Sequence, residues 1–361
     1  MKILILKPSS LGDIVQALPV LRFLKRHLPS SQIYWWVDSA FAPLLEGDPD
    51  LAGVIRFERR RWAAPRLWPE LWRSIQWMRA QTFDWVIDLQ SLARSGAVAW
   101  LANGALTVGL DESREGARGF YDRIALRPTF YTHAVDWYLG VLPLLGLPFP
   151  ERKAPASPDS MRSSVLQFDE HFHWLALHPD IAANLRQKWP VNGSRWLVLQ
   201  PGARWKNKCW PAEHFADLVR LLSGLHPDLR FAILGAEQDR PLGELITRAH
   251  AERCLDLTGK ISLLEMVEWI RLAELMVTND TGPMHVAAAL KTPLVALFGP
   301  TEPRRTGPYG QLKHVLQLQL PCEPCLKPRC SYPRPIECLR AISPADVAQA
   351  VQERLTAKSV F

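Results

Sequence analysis

Residues 2–21 read KILILKPSSLGDIVQALPVL: a short apolar run of strand length, a turn with Pro8, Ser10 and Gly12, then a helix-period apolar segment. A strand so continuously apolar is buried on both faces, which calls for parallel neighbours covered by helices. The alternation continues outward, with strands predicted over 33–37, 53–57 and 84–89 and helices over 13–27 and 69–81. It restarts at Trp196-Leu197-Val198-Leu199-Gln200 and repeats over 230–234, 254–257, 275–278 and 293–298. The reading is an α/β chain of two similar domains, in keeping with 361 residues at about 150 per domain. Four prolines between Leu147 and Pro158 forbid helix there and mark the linker, so the domains are placed at 1–160 and 161–361. Ser262 with Glu265, and Ser343 with Pro344 and Asp346, are helix-start signals.

Composition narrows the class. With 48% hydrophobic and 22% charged residues, disorder and fibrous architecture are excluded. No apolar run reaches the roughly 18 residues of a spanning helix, and the N-terminal run stops at Lys7-Pro8, so a cytoplasmic protein is expected. The net charge of +7 suits an anionic partner. Between Arg56 and Arg79 seven Arg are interleaved with Trp62, Trp68, Trp72 and Trp77. Leu71, Trp72, Ile75 and Met78 fall at helical spacing, which reads either as a helix packed on the first domain or as a surface for anionic lipid or other phosphates.

In open parallel sheets ligands bind beyond the carboxyl ends of the strands, which confines the search to a few loops. In the first, Lys7 to Asp13, Gly12 permits a turn and Asp13 places a carboxylate at the mouth of the domain, as a helix cap or as a functional group. Neither G-x-G-x-x-G nor G-x-x-x-x-G-K-[ST] is present, which argues against an NAD-dependent oxidoreductase. In the second, Gly202 admits close backbone approach, and Arg204, Lys206 and Lys208 form either a diphosphate site or a solvated basic loop. The third, Asp280-Thr281-Gly282-Pro283-Met284-His285, presents backbone N–H groups at a helix N-terminus with His285 on its first turn, a combination that packing alone does not explain. The fourth, Gly299-Pro300-Thr301-Glu302-Pro303, is a rigid turn or a ligand contact.

Cys322, Cys325, Cys330 and Cys338 carry spacings that admit a structural zinc, or else free thiols or a disulfide. Basic-aromatic interleaving with clustered Cys also fits a nucleic-acid-binding protein, but that reading leaves the Asp280 to His285 turn unexplained.

The opening stretch, the segment KCWPAEHFADLV (208–219) and TNDTGPMHVAAALKTPLVALFGPTEP (278–303) together resemble, in order and separation, the glycosyltransferase family that contains the lipopolysaccharide heptosyltransferases. Asp88 to Ser95 and His133-Ala134-Val135-Asp136 resemble its heptosyltransferase I branch. The resemblance implies the GT-B arrangement, two facing Rossmann-like domains with a cleft between them, and no cofactor. It implies transfer of a heptose from ADP-heptose, with inversion, to a lipid-linked inner-core acceptor of Kdo-lipid A type, at the inner face of the inner membrane and in peripheral contact with it. No nucleic-acid partner is implied. The alternative within the class is another nucleotide sugar.

By the same resemblance Asp13 is the general base, with Ser10, Gly12, Arg60 and Arg61 on the acceptor side. Lys208, Arg204, Asp280, Thr281, Gly282 and His285 surround the donor. The chain departs from the heptosyltransferase I pattern at Ala203-Arg204, where relatives carry hydroxyl residues, and in its Cys cluster, which belongs to other branches.

Overall fold

The computed structural model describes residues 1–58, 64, 68–111, 115–150, 172–191 and 193–358. The chain forms two compact units, Met1–Ala176 and Leu177–Phe361.

The first unit is a six-stranded parallel sheet of β1 (Lys2–Leu6), β2 (Gln32–Asp38), β3 (Gly53–Phe57), β4 (Trp85–Asp88), β5 (Leu106–Leu110) and β6 (Arg123–Ala125), in the order β3-β2-β1-β4-β5-β6. Its helices are α1 (Leu11–His27), α2 (Trp68–Ala80), α3 (Ala93–Ala102), α4 (Ala134–Leu139) and α5 (Val141–Leu144). From Ile3 to Leu6 the central strand is fully buried, which is why its sequence is apolar without alternation. Ile75 and Met78 of α2 and Val98, Ala99 and Ala102 of α3 pack with Leu4, Leu6, Trp36 and Val86. Trp72 departs from the predicted apolar stripe: it is half exposed, while the flanking Leu71 packs on that cluster.

The second unit repeats the plan with β7 (Arg195–Gln200), β8 (Leu229–Ile233), β9 (Cys254–Asp256), β10 (Leu275–Asn279), β11 (Leu294–Phe298) and β12 (Val315–Gln317), ordered β12-β11-β10-β7-β8-β9. The helices are α6 (Pro179–Lys188), α7 (Ala212–Leu225), α8 (Arg240–Thr247), α9 (Leu263–Leu272), α10 (Gly282–Ala289), α11 (Pro303–Thr306), α12 (Glu337–Arg340) and α13 (Pro344–Lys358). Both predicted helix starts hold: Glu265 N donates to Ser262 Oγ at 3.2 Å, and Asp346 N to Ser343 Oγ at 3.1 Å. Numbered from its own first strand, each sheet has the Rossmann order 3-2-1-4-5-6, which reverses direction beside its first strand.

The sequence reading missed β5, β6 and β12. The first contains Gly109, and the other two are three-residue edge strands. The units divide beyond the predicted boundary because Phe172 and Trp174 are buried, with the Phe172 ring tilted against Phe23 at 5.1 Å between centroids. Arg22 fastens the same segment, donating to the carbonyls of His173 (3.0 Å) and Trp174 (2.9 Å) while paired with Asp48 and Asp50.

Candidate functional site

In the first unit the sheet order reverses between β1 and β4, so the loops after these strands diverge and leave room for a ligand. The loop after β1 supplies Asp13. The helix starts two residues earlier than predicted, at Leu11, which makes Gly12 a buried helical residue rather than the turn and Asp13 the third residue of α1. Asp13 Oδ2 accepts from Ser10 N at 2.9 Å and Ser10 Oγ at 2.7 Å. Capping thus occupies one carboxylate oxygen. The other, Oδ1, stands 3.4 Å from the Tyr138 hydroxyl, which donates to it from α4.

Behind this carboxylate sits a buried cation. Lys7 is 3% exposed, donates to Leu89 O at 2.8 Å, and its Nζ lies 4.7 Å from the Tyr138 ring centroid. Burial alone pushes this ammonium down, but Tyr138, Asp13 and Asp88 outweigh burial and hold it above its ordinary value. Burial likewise pushes the Asp88 carboxyl up, against the opposing hydrogen bonds of Tyr121 and the 90–95 loop. Tyr121 Oη donates to Asp88 Oδ2 at 2.7 Å, and Ser91 N and Gln90 N donate to Oδ1. Asp88 therefore holds the loop after β4 in shape.

In the second unit the order reverses between β7 and β10, and the loops after these strands carry the predicted donor residues. Asn279 at the end of β10 fastens the first of them: its Nδ2 donates to Pro201 O at 2.7 Å and its Oδ1 accepts from Trp210 N at 3.0 Å. Lys208, so positioned, donates to Asp280 Oδ2 at 2.6 Å, and Thr301 Oγ1 donates to the same oxygen at 2.5 Å. Lys208 Nζ also lies 5.0 Å from the Trp205 ring centroid. Thr281 is the cap residue of α10, Gly282 its first residue, and His285 is buried in its first turn.

The structure therefore brings Lys208, Asp280, Thr281, Gly282 and His285 to one end of one sheet. Arg204 and Lys206 are exposed, so the three cations of the loop do not converge on a single point. Gly202 also makes room for a neighbour: a Cβ there would meet the Asp239 carboxylate at 2.5 Å. Arg60 and Arg61 lie outside the described residues. Lys7, Tyr138, Asn279 and Thr301 are site residues that the reading did not single out. Lys7, Asn279 and Thr301 stand within motifs it quoted, whereas Tyr138 is 125 residues from its partner and carries no local signal.

The N-terminus of α10, with a lysine held beside it by a carboxylate, suits an anionic leaving group. Residues 71–335 match the description "Glycosyltransferase family 9 (heptosyltransferase)". The chain belongs to this family.

As a family 9 member it is a glycosyltransferase with the α/β, two-Rossmann-unit fold of the GT-B class. It is 30% identical over 340 residues to lipopolysaccharide heptosyltransferase 1 of Pseudomonas aeruginosa, covering 92% of this chain and 88% of that protein. To lipooligosaccharide heptosyltransferase 2 of Haemophilus ducreyi it is 29% identical, covering 88% and 89%. Among solved structures, "E. coli heptosyltransferase WaaC with ADP" superposes with a TM-score of 0.74 at 25% identity, covering 98% of this chain and 100% of that one.

The cysteine cluster lines one small pocket together with Glu323 and Asn207. All six cysteines are free. Burial and the neighbouring Glu323 push the Cys338 thiol up to about 12. Among the described residues no group of three or more His, Cys, Asp or Glu side chains is arranged to hold a metal. Nor is any helix, among the described residues, long and apolar enough to cross a membrane.

Proposed function

We propose that this family 9 enzyme moves a heptose from ADP-heptose to an inner-core acceptor of the Kdo-lipid A type, with inversion. The carrying observation is the pairing of Lys208 with Asp280 beside the first turn of α10, at the point where the second sheet reverses its order. The names of its relatives supply the sugar and the pathway: lipopolysaccharide heptosyltransferase 1 in Pseudomonas aeruginosa, and an E. coli heptosyltransferase holding ADP.

Breaking the anomeric C–O bond leaves negative charge on the departing ADP, and Lys208 and the Thr281-Gly282 amides stabilise it as it grows. The acceptor hydroxyl attacks the anomeric carbon from the face opposite ADP while its proton passes to the Asp13 carboxylate. Asp280 holds Lys208 in place, and Ser10 and Tyr138 hold Asp13. The base half of the reaction thus belongs to the first unit and the leaving-group half to the second. The amphiphilic acceptor places the enzyme in the cytoplasm at the inner face of the inner membrane, and the net charge of +7 suits anionic lipid and sugar phosphates.

Thermal-shift measurements with ADP-heptose, UDP- and GDP-sugars test the donor, because a ligand of the folded state raises the melting temperature. ADP-heptose should give the largest rise; a larger rise with another nucleotide sugar overturns the donor assignment. Asp13→Asn should keep that rise and lose turnover by at least ~100-fold, and near-normal turnover would remove Asp13 from its role.

A further inference from the structure

Helices α2 and α3 lie side by side on one face of the first sheet, with Ile75, Met78, Val98 and Ala99 in the core beneath them. Their outer side is unlike an ordinary solvated surface. Trp68, Trp72 and Trp100 are 59%, 50% and 62% exposed. Trp72 and Arg79 stand seven residues apart and so share one side of α2, and the Arg79 guanidinium donates to Leu101 O at 3.2 Å, which sets that side against the end of α3 that carries Trp100. Arg73 and Arg94 are exposed on the same two helices, whose only acidic residue is Glu70.

Single exposed apolar residues are common, but three large indoles on adjoining helices, interleaved with arginines, are not. An indole has an apolar body and a polar N–H edge, which suits the boundary between acyl chains and headgroups. Arginines beside it meet anionic headgroups with the matching charge. A purely aqueous surface would leave the indoles without a role.

We propose that the outer ridge of α2 and α3, built on Trp68, Trp72, Arg79 and Trp100, docks the enzyme on an anionic lipid bilayer. The inference rests on the lipid-linked-acceptor reading and deepens it, naming the face of the first unit that meets the surface in which such an acceptor resides.

Flotation of the full-length protein with phosphatidylglycerol-containing vesicles, against phosphatidylcholine vesicles alone, tests it. The protein should float with the anionic vesicles and less so at raised salt. Brominated lipid should quench part of its tryptophan emission. The combined Trp68→Ser, Trp72→Ser, Trp100→Ser variant should lose that quenching, and Arg79→Glu alone should weaken binding roughly tenfold; circular dichroism checks that each is folded. Absence of flotation, or unchanged flotation by both variants, overturns the proposal. So does a dimer in sedimentation velocity that the Trp variant abolishes, because the ridge then belongs to a second copy. Turnover of a water-soluble acceptor fragment should be unchanged in both variants. Failure of the unaltered enzyme to turn over that fragment with ADP-heptose overturns the functional reading and leaves the docking result standing.

Discussion

Lys208 Nζ lies 2.6 Å from Asp280 Oδ2, a contact that spans 72 residues of sequence and ties the loop after β7 to the loop after β10. Asp280 is 6% exposed, and Thr301 Oγ1 donates to the same carboxylate oxygen. A buried carboxylate that loses its cation keeps its desolvation cost without compensation.

Lys208→Met should therefore weaken ADP binding and also lower the stability of the second unit by about 1–3 kcal/mol. Adding Asp280→Asn should recover most of the melting temperature without recovering ADP affinity. Calorimetric titration beside thermal unfolding separates the two effects; parallel recovery of both would mean that Lys208 acts only as a structural partner.

Lys7 is a buried cation facing Asp13, Asp88 and Tyr138. A cation favours the ionised form of a nearby carboxylate, so removing it raises the pH at which Asp13 takes up its proton. Lys7→Met should move the acidic limb of the kcat/KM profile to higher pH, and Tyr138→Phe should shift it less. A lower rate with an unmoved limb would assign Lys7 to packing alone.

Gly109 shows what the first-unit loops demand of the core. A Cβ at this position would stand 2.2 Å from the Tyr121 ring, and Tyr121 is the donor to Asp88. Gly109→Ala should cost about 1–3 kcal/mol through overpacking. Tyr121→Phe should cost a similar amount through the acceptor it leaves short of a donor. Chemical denaturation measures both.

His314 supplies a pH dependence far in sequence from both reactive loops. Burial, helped by Arg354 and Lys313, lowers it from 6.5 to about 4, and its Nε2 is buried without a partner. Between those values the unfolded chain binds the extra proton, so this histidine makes stability fall as pH drops from 6.5 toward 4. His314→Gln should flatten that part of the melting-temperature profile relative to the unaltered protein; parallel profiles would refute the assignment.

The long central strands were legible because full burial leaves no polar alternation, as in Ile3 to Leu6 and Leu197 to Leu199. The helix starts at Ser262 and Ser343 were legible because capping is local chemistry. The edge strands β6 and β12 were not, although β9, also three residues long, was. In the candidate site, Asp13, Lys208 and the Asp280 to His285 turn stood out through loop placement and resemblance. At Gly202 the lack of a side chain also makes room for Asp239, a proximity that exists only after folding.

By itself the sequence determined a twice-repeated strand-helix plan and the loops in which its polar residues had to lie, because periodicity and capping act over a few residues. Only the tertiary structure decided which of those residues meet: Tyr138 with Asp13, Thr301 and Lys208 on one Asp280 oxygen, Lys7 beneath Tyr138. Such pairings depend on strand order and helix packing, which bring distant segments within hydrogen-bond reach and leave no trace in local spacing.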